Sequence, residues 1–486
     1  MKFTNALFSL IYVASACVFS SATVTAADSN LPDIGSSASK GFSLVQEQAV
    51  GDSYMRQLRA FAPLMNDAEV NDYIQHLGFR LVENNIRATN RKFSFFVINQ
   101  NSINAFALPG GYIGVHTGLI NKTDNESELA SVLGHEIAHV TQRHLARRLE
   151  LQNQLTLPSL AAFVAAIIIA TQVKDSDGTL ATITGSQALA KQAIINHTRS
   201  NESEADRIGI ITMHGAGFNP SATVSFFEKM QQNSIYRSNA LEFLQTHPLS
   251  RNRITDARLR ASELPRRPVI EKPTYQLIKH KIRALTSKIN PTVLNSNKVR
   301  FENGEFKTDE QLYGYAILLM RGKKLNASEE LLLALREKNP TQTSYAIALA
   351  ELDIIKDTPS RSLPIIEDFL DKIPGNLALV EMNAKLLLAD RKPKNARELL
   401  LENVHMTAFA PHLYKLLARA QEEAGYHSEV FETEGNFLLS FGDLSGARNQ
   451  YYQALNAHTE DPYARERINS QLRRIKEFLY KRSLRH

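Results

Sequence analysis

The sequence predicts an α+β domain, mostly helical with a small sheet, followed by an all-α solenoid of helical repeats. In the first half of the chain, strand-forming residues from 92 to 117 precede an amphipathic helical segment. From Thr308 onward, helical patterns follow one another and no strand signal interrupts them. Pro340 and Pro374 lie one 34-residue period apart, which is the period of tetratricopeptide helix pairs. An ordinary α-helical domain is the alternative.

The composition is that of a globular protein. The chain has 486 residues, of which 43% are hydrophobic and 22% are charged, and this length is enough for two or three domains. The net charge of +6 is small for the length, and no basic run contains interleaved aromatic residues. We therefore expect no nucleic-acid partner.

The N-terminus has the pattern of a secretory signal. Lys2 precedes a mostly apolar stretch, residues 6–19, which is too short to span a bilayer, and Val24-Thr25-Ala26 offers small residues for cleavage. We expect a cleavable Sec-type signal over residues 1–26 and a periplasmic mature chain. A lipoprotein signal ending at Cys17 is the alternative. Cys17 is the single cysteine, so the cleaved chain has no thiolate ligands.

Three short strands and a tight turn are predicted before the helical motif. The strands comprise residues 92–99, 105–108 and 112–117, and Pro109-Gly110-Gly111 forms the turn. Such a sheet can bind an extended peptide by strand addition at an open edge. Ordinary sheet core is the alternative for the middle strand. The candidate substrate edge comprises Asn104, Ala105, Phe106 and Ala107.

A helical HExxH motif, His135-Glu136-Ile137-Ala138-His139, follows the strands. His135 and His139 are four residues apart, lie on one helix face and can share a zinc ion. Glu136 lies beside them and is placed to activate the attacking water. A surface helix with incidental histidines is the alternative. His144 follows five residues after His139, off the ligand face, so we expect it at the surface or beside a ligand.

A catalytic zinc takes three protein ligands, and the segment 199–207 is the better source of the third. Glu202 and Asp206 are four residues apart and share a helix face. The chemistry favours Glu202 as the ligand and Asp206 as an acceptor for a histidine N–H. Glu204 is expected to face solvent. Gly209, on the next turn, would let two helices approach closely.

Three segments together resemble the M48 family of zinc metallopeptidases, in the gluzincin group. They are Asn104 to Gly111, His135 to His139 and Arg199 to Asp206. The resemblance covers about Phe42 to Arg260 and implies a zincin-like metallopeptidase domain.

The resemblance also implies functional residues. It implies one Zn²⁺ per chain, bound by His135, His139 and Glu202, with Glu136 as the water-activating residue. Asp206 matches the acidic residue that is sometimes assigned as a proton donor in this family. Orientation of a ligand histidine is its more natural role, and we keep it as a candidate catalytic residue.

M48 chains often carry a His-Pro step followed by an arginine, and His247-Pro248 and Arg253 fall in the matching region. Two functional interpretations of His247 exist. It hydrogen-bonds the tetrahedral intermediate, or it occupies the open zinc position and holds the enzyme inactive; a loop-capping role is the alternative. Arg253 either binds substrate or pairs with a helix carboxylate.

The complete layout resembles periplasmic M48 peptidases that assist outer-membrane protein assembly and degrade stalled clients. The implied partners are unfolded or stalled outer-membrane proteins and, through the repeats, the beta-barrel assembly machinery. One alternative is a chaperone or scaffold with secondary proteolysis. Another is a membrane-surface protease in which the apolar stretch Ser159 to Ala170 makes peripheral membrane contact; a buried helix is the ordinary interpretation of that stretch. The predicted domains are a signal peptide (1–26), the metallopeptidase domain (27–265), a helical linker (266–307) and tetratricopeptide-like repeats (308–486).

Overall fold

The computed structural model describes residues 43–85, 87–88, 91–151, 199–236, 241–269, 272–457 and 461–483. The predictions for the signal peptide and for Ser159 to Ala170 lie outside the described residues. None of the helices in the described part combines the length and the apolar character that a membrane span requires.

Two capped helices open the described chain. Helix α1, Leu44–Phe61, begins after Ser43, whose hydroxyl accepts the Gln46 N–H while the Gln46 side chain accepts the Ser43 N–H. Helix α2, Ala68–Glu83, begins after Asp67, whose carboxylate accepts the Val70 N–H. Such caps satisfy amide groups that the first helical turn leaves unpaired.

Three strands form a small mixed sheet, which confirms the predicted α+β class. They are β1 (Ser94–Ile98), β2 (Ala105–Leu108) and β3 (Tyr112–His116), in the order β1-β3-β2. Strand β3 is parallel to β1 and antiparallel to β2. Strand β2 therefore lies at an edge of the sheet. Gly110 and Gly111 have φ angles of 76° and 80°, a left-handed conformation that glycine adopts without strain.

The motif helix crosses the sheet inside the core. After the short helix α3, Thr117–Lys122, the HExxH motif lies in α4, Glu126–Thr141, which Asn125 caps. A second segment, α5, covers His144–Leu151. Apolar residues of α2, β1, β3 and α4 share one hydrophobic cluster, so the motif is held in a rigid environment.

Four helices follow and complete the core around α4. They are α6 (Arg199–Gly215), α7 (Ser221–Tyr236), α8 (Leu241–Thr246) and α9 (Arg251–Glu263). Their apolar residues, among them Ile210, Phe226, Phe243 and Ile254, belong to the same cluster as α4.

One helix belongs to both halves of the molecule. In α10, Pro273–Thr286, Ile278 and Ile282 lie in the cluster around α4, while Leu277 and Ala284 lie in the cluster of the first repeat helices. The predicted linker thus contains a helix that is packed on both sides. Helix α11, Pro291–Glu302, contributes no buried residue.

Consecutive helices then form a solenoid-like array. Those that begin at Asp309, Thr343 and Leu377 repeat at the predicted 34-residue spacing, and the later spacing is less regular. The helices are α12 (Asp309–Arg321), α13 (Leu325–Lys338), α14 (Thr343–Ile355), α15 (Leu363–Lys372), α16 (Leu377–Ala389), α17 (Pro393–Glu402), α18 (Leu413–Glu423), α19 (His427–Ser440), α20 (Leu444–Ala457) and α21 (Pro462–Ser483).

The array also bonds directly to the first two helices. The Asp72 carboxylate accepts the Asn376 side-chain amide at 2.6 Å and the Leu377 N–H at 3.2 Å. The Arg59 guanidinium donates to the carbonyl of Ala408 at 2.7 Å. These contacts, hundreds of residues apart in the chain, join the repeats to the α1–α2 region.

A buried ion cluster lies at the junction. Lys281 of α10 is 4% exposed and lies 2.7 Å from Glu69 and 3.0 Å from Asp67. The Tyr313 hydroxyl of α12 donates to the same Glu69 oxygen at 3.1 Å. Because burial removes water from these charges, each of them depends on its partners.

Replacing Lys281 by methionine tests this junction. Lys281→Met leaves Glu69 and Asp67 without their cation, and we expect the free energy of unfolding to fall by about 3–5 kcal/mol. Urea unfolding followed by circular dichroism measures the change. The control is Lys338→Met, because Lys338 pairs with Asp309 on the surface with its side chain 67% exposed. It should cost about 1 kcal/mol or less, and equal losses in both variants would contradict the assignment.

Candidate metal centre

Four buried side chains converge from three parts of the fold. His135 and His139 come from α4, Glu202 comes from α6, and His247 directly follows α8. One nitrogen or oxygen from each residue lies within 4.8 Å of those of the others. The set contains the three expected zinc ligands and the histidine whose role the sequence left open.

The distances within this cluster suit a metal ion. Nε2 of His135 and Nε2 of His139 are 3.0 Å apart, and Glu202 lies 3.4 Å from the first and 3.3 Å from the second. Ligands around a tetrahedral zinc are spaced by about 3.3 Å. Glu202 Oε1 is buried and accepts no hydrogen bond from the described residues. A buried acceptor of this kind needs a cation or a donor, so the residues fit a bound metal.

Two glycines bring α4 and α6 together at this point. A Cβ on Gly209 would lie 2.9 Å from the His135 nitrogen, and one on Gly134 would lie 3.1 Å from the Gly209 oxygen. The expected close approach at Gly209 is therefore observed. Its partner is Gly134, which the sequence places directly before the motif but which was not predicted as a contact.

Asp206 holds His135 and is itself held by Arg253. Its Oδ1 lies 2.9 Å from His135 Nδ1, and Nε and Nη2 of Arg253 donate to the two carboxylate oxygens at 2.7 and 2.8 Å. Burial acts to raise the pKa of Asp206, but the bonds from Arg253 and His135 outweigh burial and lower that pKa. Arg253 also lies 3.0 Å from Glu202. Of the two interpretations of Arg253, pairing with helix carboxylates is the one observed.

Glu136 lies between the cluster and the edge strand. Burial raises its pKa, which favours proton uptake, while the Ala107 backbone bonds to its carboxylate. Its Oε1 lies 3.3 Å from His247 Nε2. A carboxylate so placed can reach both a metal-held water and a peptide on the strand.

Only part of the predicted substrate edge has backbone groups that face the open side of β2. The His116 N–H donates to the Asn104 carbonyl at 3.0 Å, so Asn104 bonds to β3. In an antiparallel pair the bonded positions alternate, so Phe106 also faces β3 and the peptide groups of Ala105 and Ala107 face the open edge. The Phe106 side chain packs in the core. Ala105 and the carbonyl of Ala107 are therefore the groups that can pair with a substrate strand, since the Ala107 N–H bonds to the Glu136 carboxylate.

His144 lies in one of its two expected places, whereas Glu204 differs in part from its expectation. His144 is 1% exposed, and its Nδ1 lies 2.8 Å from Nδ1 of His139, so it lies beside a ligand and not at the surface. Burial lowers the pKa of His144 to about 4. Glu204 is only partly accessible to solvent and lies 3.1 Å from His144 and 2.9 Å from Arg147, so it is bonded to other side chains where a fully solvated carboxylate was expected. Helix α4 breaks at Arg143, which spacing on a continuous helix could not reveal.

Comparison with known proteins identifies relatives over most of the chain. Residues 68–261 match peptidase family M48. The chain is 36% identical to the beta-barrel assembly-enhancing protease of Yersinia pestis over 428 residues, which cover 86% of this chain and 85% of the relative. It is 32% identical to the protein of that name from Escherichia coli (strain K12), with 86% and 87% covered. It is 34% identical to the mitochondrial metalloendopeptidase OMA1 of Schizosaccharomyces pombe, with 34% and 45% covered.

Adding one methyl group at the helix contact should disturb the cluster. In Gly209→Ala the new Cβ meets the backbone of α4, so we expect a loss of about 1–3 kcal/mol of stability. The displaced α6 should also carry Glu202 away from the histidines and reduce the metal content. Thermal unfolding and elemental analysis measure the two effects. Ile211→Ala is the control, since Ile211 is exposed on the same helix; a metal loss as large as that of Gly209→Ala would refute the contact's role.

Proposed function

The chain belongs to peptidase family M48 and is a metallopeptidase, and on that premise we propose that it is a periplasmic zinc metalloendopeptidase of outer-membrane protein quality control. It degrades misassembled beta-barrel proteins and assists their assembly. One observation carries the proposal: His135, His139 and Glu202 surround one buried point, with Glu136 beside the open edge of β2.

Each residue of the site has a separate role in the proposed peptide hydrolysis. A zinc ion held by His135, His139 and Glu202 would polarise the scissile carbonyl and make the attacking water more acidic. Glu136 takes the proton of that water and passes it to the leaving amine. Asp206, fixed by Arg253, orients His135.

The substrate binds as an added strand. The peptide groups of Ala105 and Ala107 face the open edge of β2, next to Glu136. Main-chain pairing of this kind recognises an extended backbone rather than particular side chains. A loose sequence preference follows, which suits unfolded or stalled outer-membrane proteins as clients.

His247 occupies the fourth position and holds the site inactive. Its Nδ1 lies 3.2 Å from His135 Nε2 and 3.3 Å from Glu202, and its Nε2 faces Glu136. The ring also packs on Phe243, with centroids 5.0 Å apart. A ring in this place excludes the attacking water, so the site opens only when the segment after α8 moves.

The helical repeats provide the partner surface. The curated relatives carry the name beta-barrel assembly-enhancing protease, and the similarity covers 86% of this chain, which includes repeat helices as well as the peptidase segment. We propose that these tetratricopeptide-like helices dock the outer-membrane beta-barrel assembly machinery. The predicted signal at residues 1–26 would deliver the chain to the periplasm.

Glu136→Gln is the test of hydrolysis. We expect cleavage of an unfolded protein such as casein to fall by a factor of about 100 to 10,000, because the proton acceptor is lost. Bound zinc should remain near one per chain by elemental analysis. Glu202→Ala should lose both cleavage and zinc, and Glu228→Gln, at an exposed ion pair with Arg258, should lose neither. Full cleavage by Glu136→Gln would refute the mechanism.

A chaperone or scaffold role is the second candidate, favoured by the extent of the repeats and by the relatives' printed name. Cells that carry Glu136→Gln as their only copy separate the two roles. Normal assembly of outer-membrane proteins in these cells would show that assembly help does not require hydrolysis. Assembly defects equal to those of a deletion would show that it does.

Replacing His247 tests the inactive arrangement. In His247→Ala the fourth position is open while three ligands remain, so we expect basal casein cleavage to rise several-fold with zinc retained. His427→Ala is the control, because His427 is exposed on the repeats. A fall in cleavage at unchanged zinc content would instead assign His247 to binding of the reaction intermediate.

A further inference from the structure

A series of polar contacts connects the candidate metal ligands to the protein exterior. His139 Nδ1 meets His144 Nδ1 at 2.8 Å, and His144 Nε2 meets Glu204 Oε2 at 3.1 Å. Arg147 donates to the same Glu204 oxygen at 2.9 Å. His144 is buried, whereas Glu204 and Arg147 are partly accessible to solvent.

Only one arrangement of protons satisfies these contacts when a metal is bound. His139 directs its Nε2 into the cluster, 3.3 Å from Glu202, so a neutral His139 bound through Nε2 carries its proton on Nδ1. That N–H donates to His144 Nδ1, which must then be the acceptor. The proton of His144 is consequently on Nε2, where it is donated to the Glu204 carboxylate.

We propose that His144 is a positioning residue for the ligand His139, and that Glu204 fixes the tautomer of His144. This deepens the proposed function, on which it rests. Each histidine ligand is then connected to a carboxylate of α6. His135 bonds to Asp206 directly, and His139 is connected to Glu204 through His144. Partners of this kind fix ring orientation and increase the basicity of metal ligands.

The backbone is shaped to bring His144 into place. On a continuous helix, a residue five positions after His139 would be turned away by about 140°. Arg143 interrupts the helix with a φ of 53°, which is an unfavourable conformation for a non-glycine residue. Glu47 of α1 holds this turn, since its Oε1 accepts from Nε and Nη2 of Arg143 at 2.6 and 2.5 Å.

His144 acts through His139 and not on the metal. Its Nδ1 faces Nδ1 of His139, on the side of the ring that points away from the cluster. His144 is also absent from the group of four candidate ligands among the described residues. Its effect should therefore appear in the affinity for the metal and in the ligand field, without a change in the number of ligands.

The test measures metal binding in the full-length protein, independently of hydrolysis. For His144→Leu, competition with a chromophoric chelator should give a zinc dissociation constant raised 10- to 100-fold. His144→Asn, whose side-chain oxygen can still accept from His139, should recover most of the affinity. In the cobalt-substituted protein, the visible d–d bands should shift in His144→Leu and return toward wild type in His144→Asn.

A second variant covers the case that His144→Leu does not fold. Glu204→Gln lies at the accessible end of the contacts and should weaken zinc binding severalfold, with an unchanged unfolding midpoint of the metal-free protein. Glu228→Gln is the matched control and should change neither quantity. If both His144→Leu and Glu204→Gln keep wild-type zinc affinity and cobalt bands, the role inferred for His144 is wrong while the proposed function stands. Failure of the wild type to bind zinc would instead overturn the proposed function.

Discussion

Contact between Gly134 of α4 and Gly209 of α6 sets the distance between these two helices, and the cluster of candidate metal ligands depends on that distance. Without a Cβ at either position, the helices approach until histidines and carboxylates share one buried volume. Burial of so many ionisable groups is costly unless each one has a partner. The cluster meets this cost by alternating charge, since Asp206 lies between His135 and Arg253. The metal-binding geometry is therefore a consequence of how closely two backbones can pack.

The sheet supplies the second constraint. The turn before β3 packs closely against the chain just before β1, because a Cβ on Gly111 would lie 1.9 Å from the Lys92 carbonyl oxygen. Strand β2 lies at the edge of the sheet, and the Ala107 N–H bonds to the Glu136 carboxylate. The proposed general base and the strand proposed to receive substrate are thus placed next to each other. Proximity of this kind lowers the entropic cost of reaction.

The repeats are not an independent appendage. Helix α10 packs into the cluster around the motif helix and into the first repeats, and Lys281 is buried beside two carboxylates at the start of α2, one of which also accepts the Tyr313 hydroxyl of α12. The sequence predicted a helix within residues 266–307, because amphipathic spacing is visible locally. It did not predict that both faces of this helix are covered. Periodicity shows which residues are buried but not what they are buried against.

The sequence by itself determined the strands, the helical array and the motif helix with residues 135–139. It also favoured Glu202 as the third metal ligand. Each of these predictions depends on spacing between near neighbours in the chain. Only the tertiary structure decided the place of His144. The turn at Arg143 brings it to a ligand histidine, and that turn is held by Glu47, 96 residues earlier in the chain. Local spacing defines the face of a helix, whereas a break in that helix is stabilised by groups that only folding brings together.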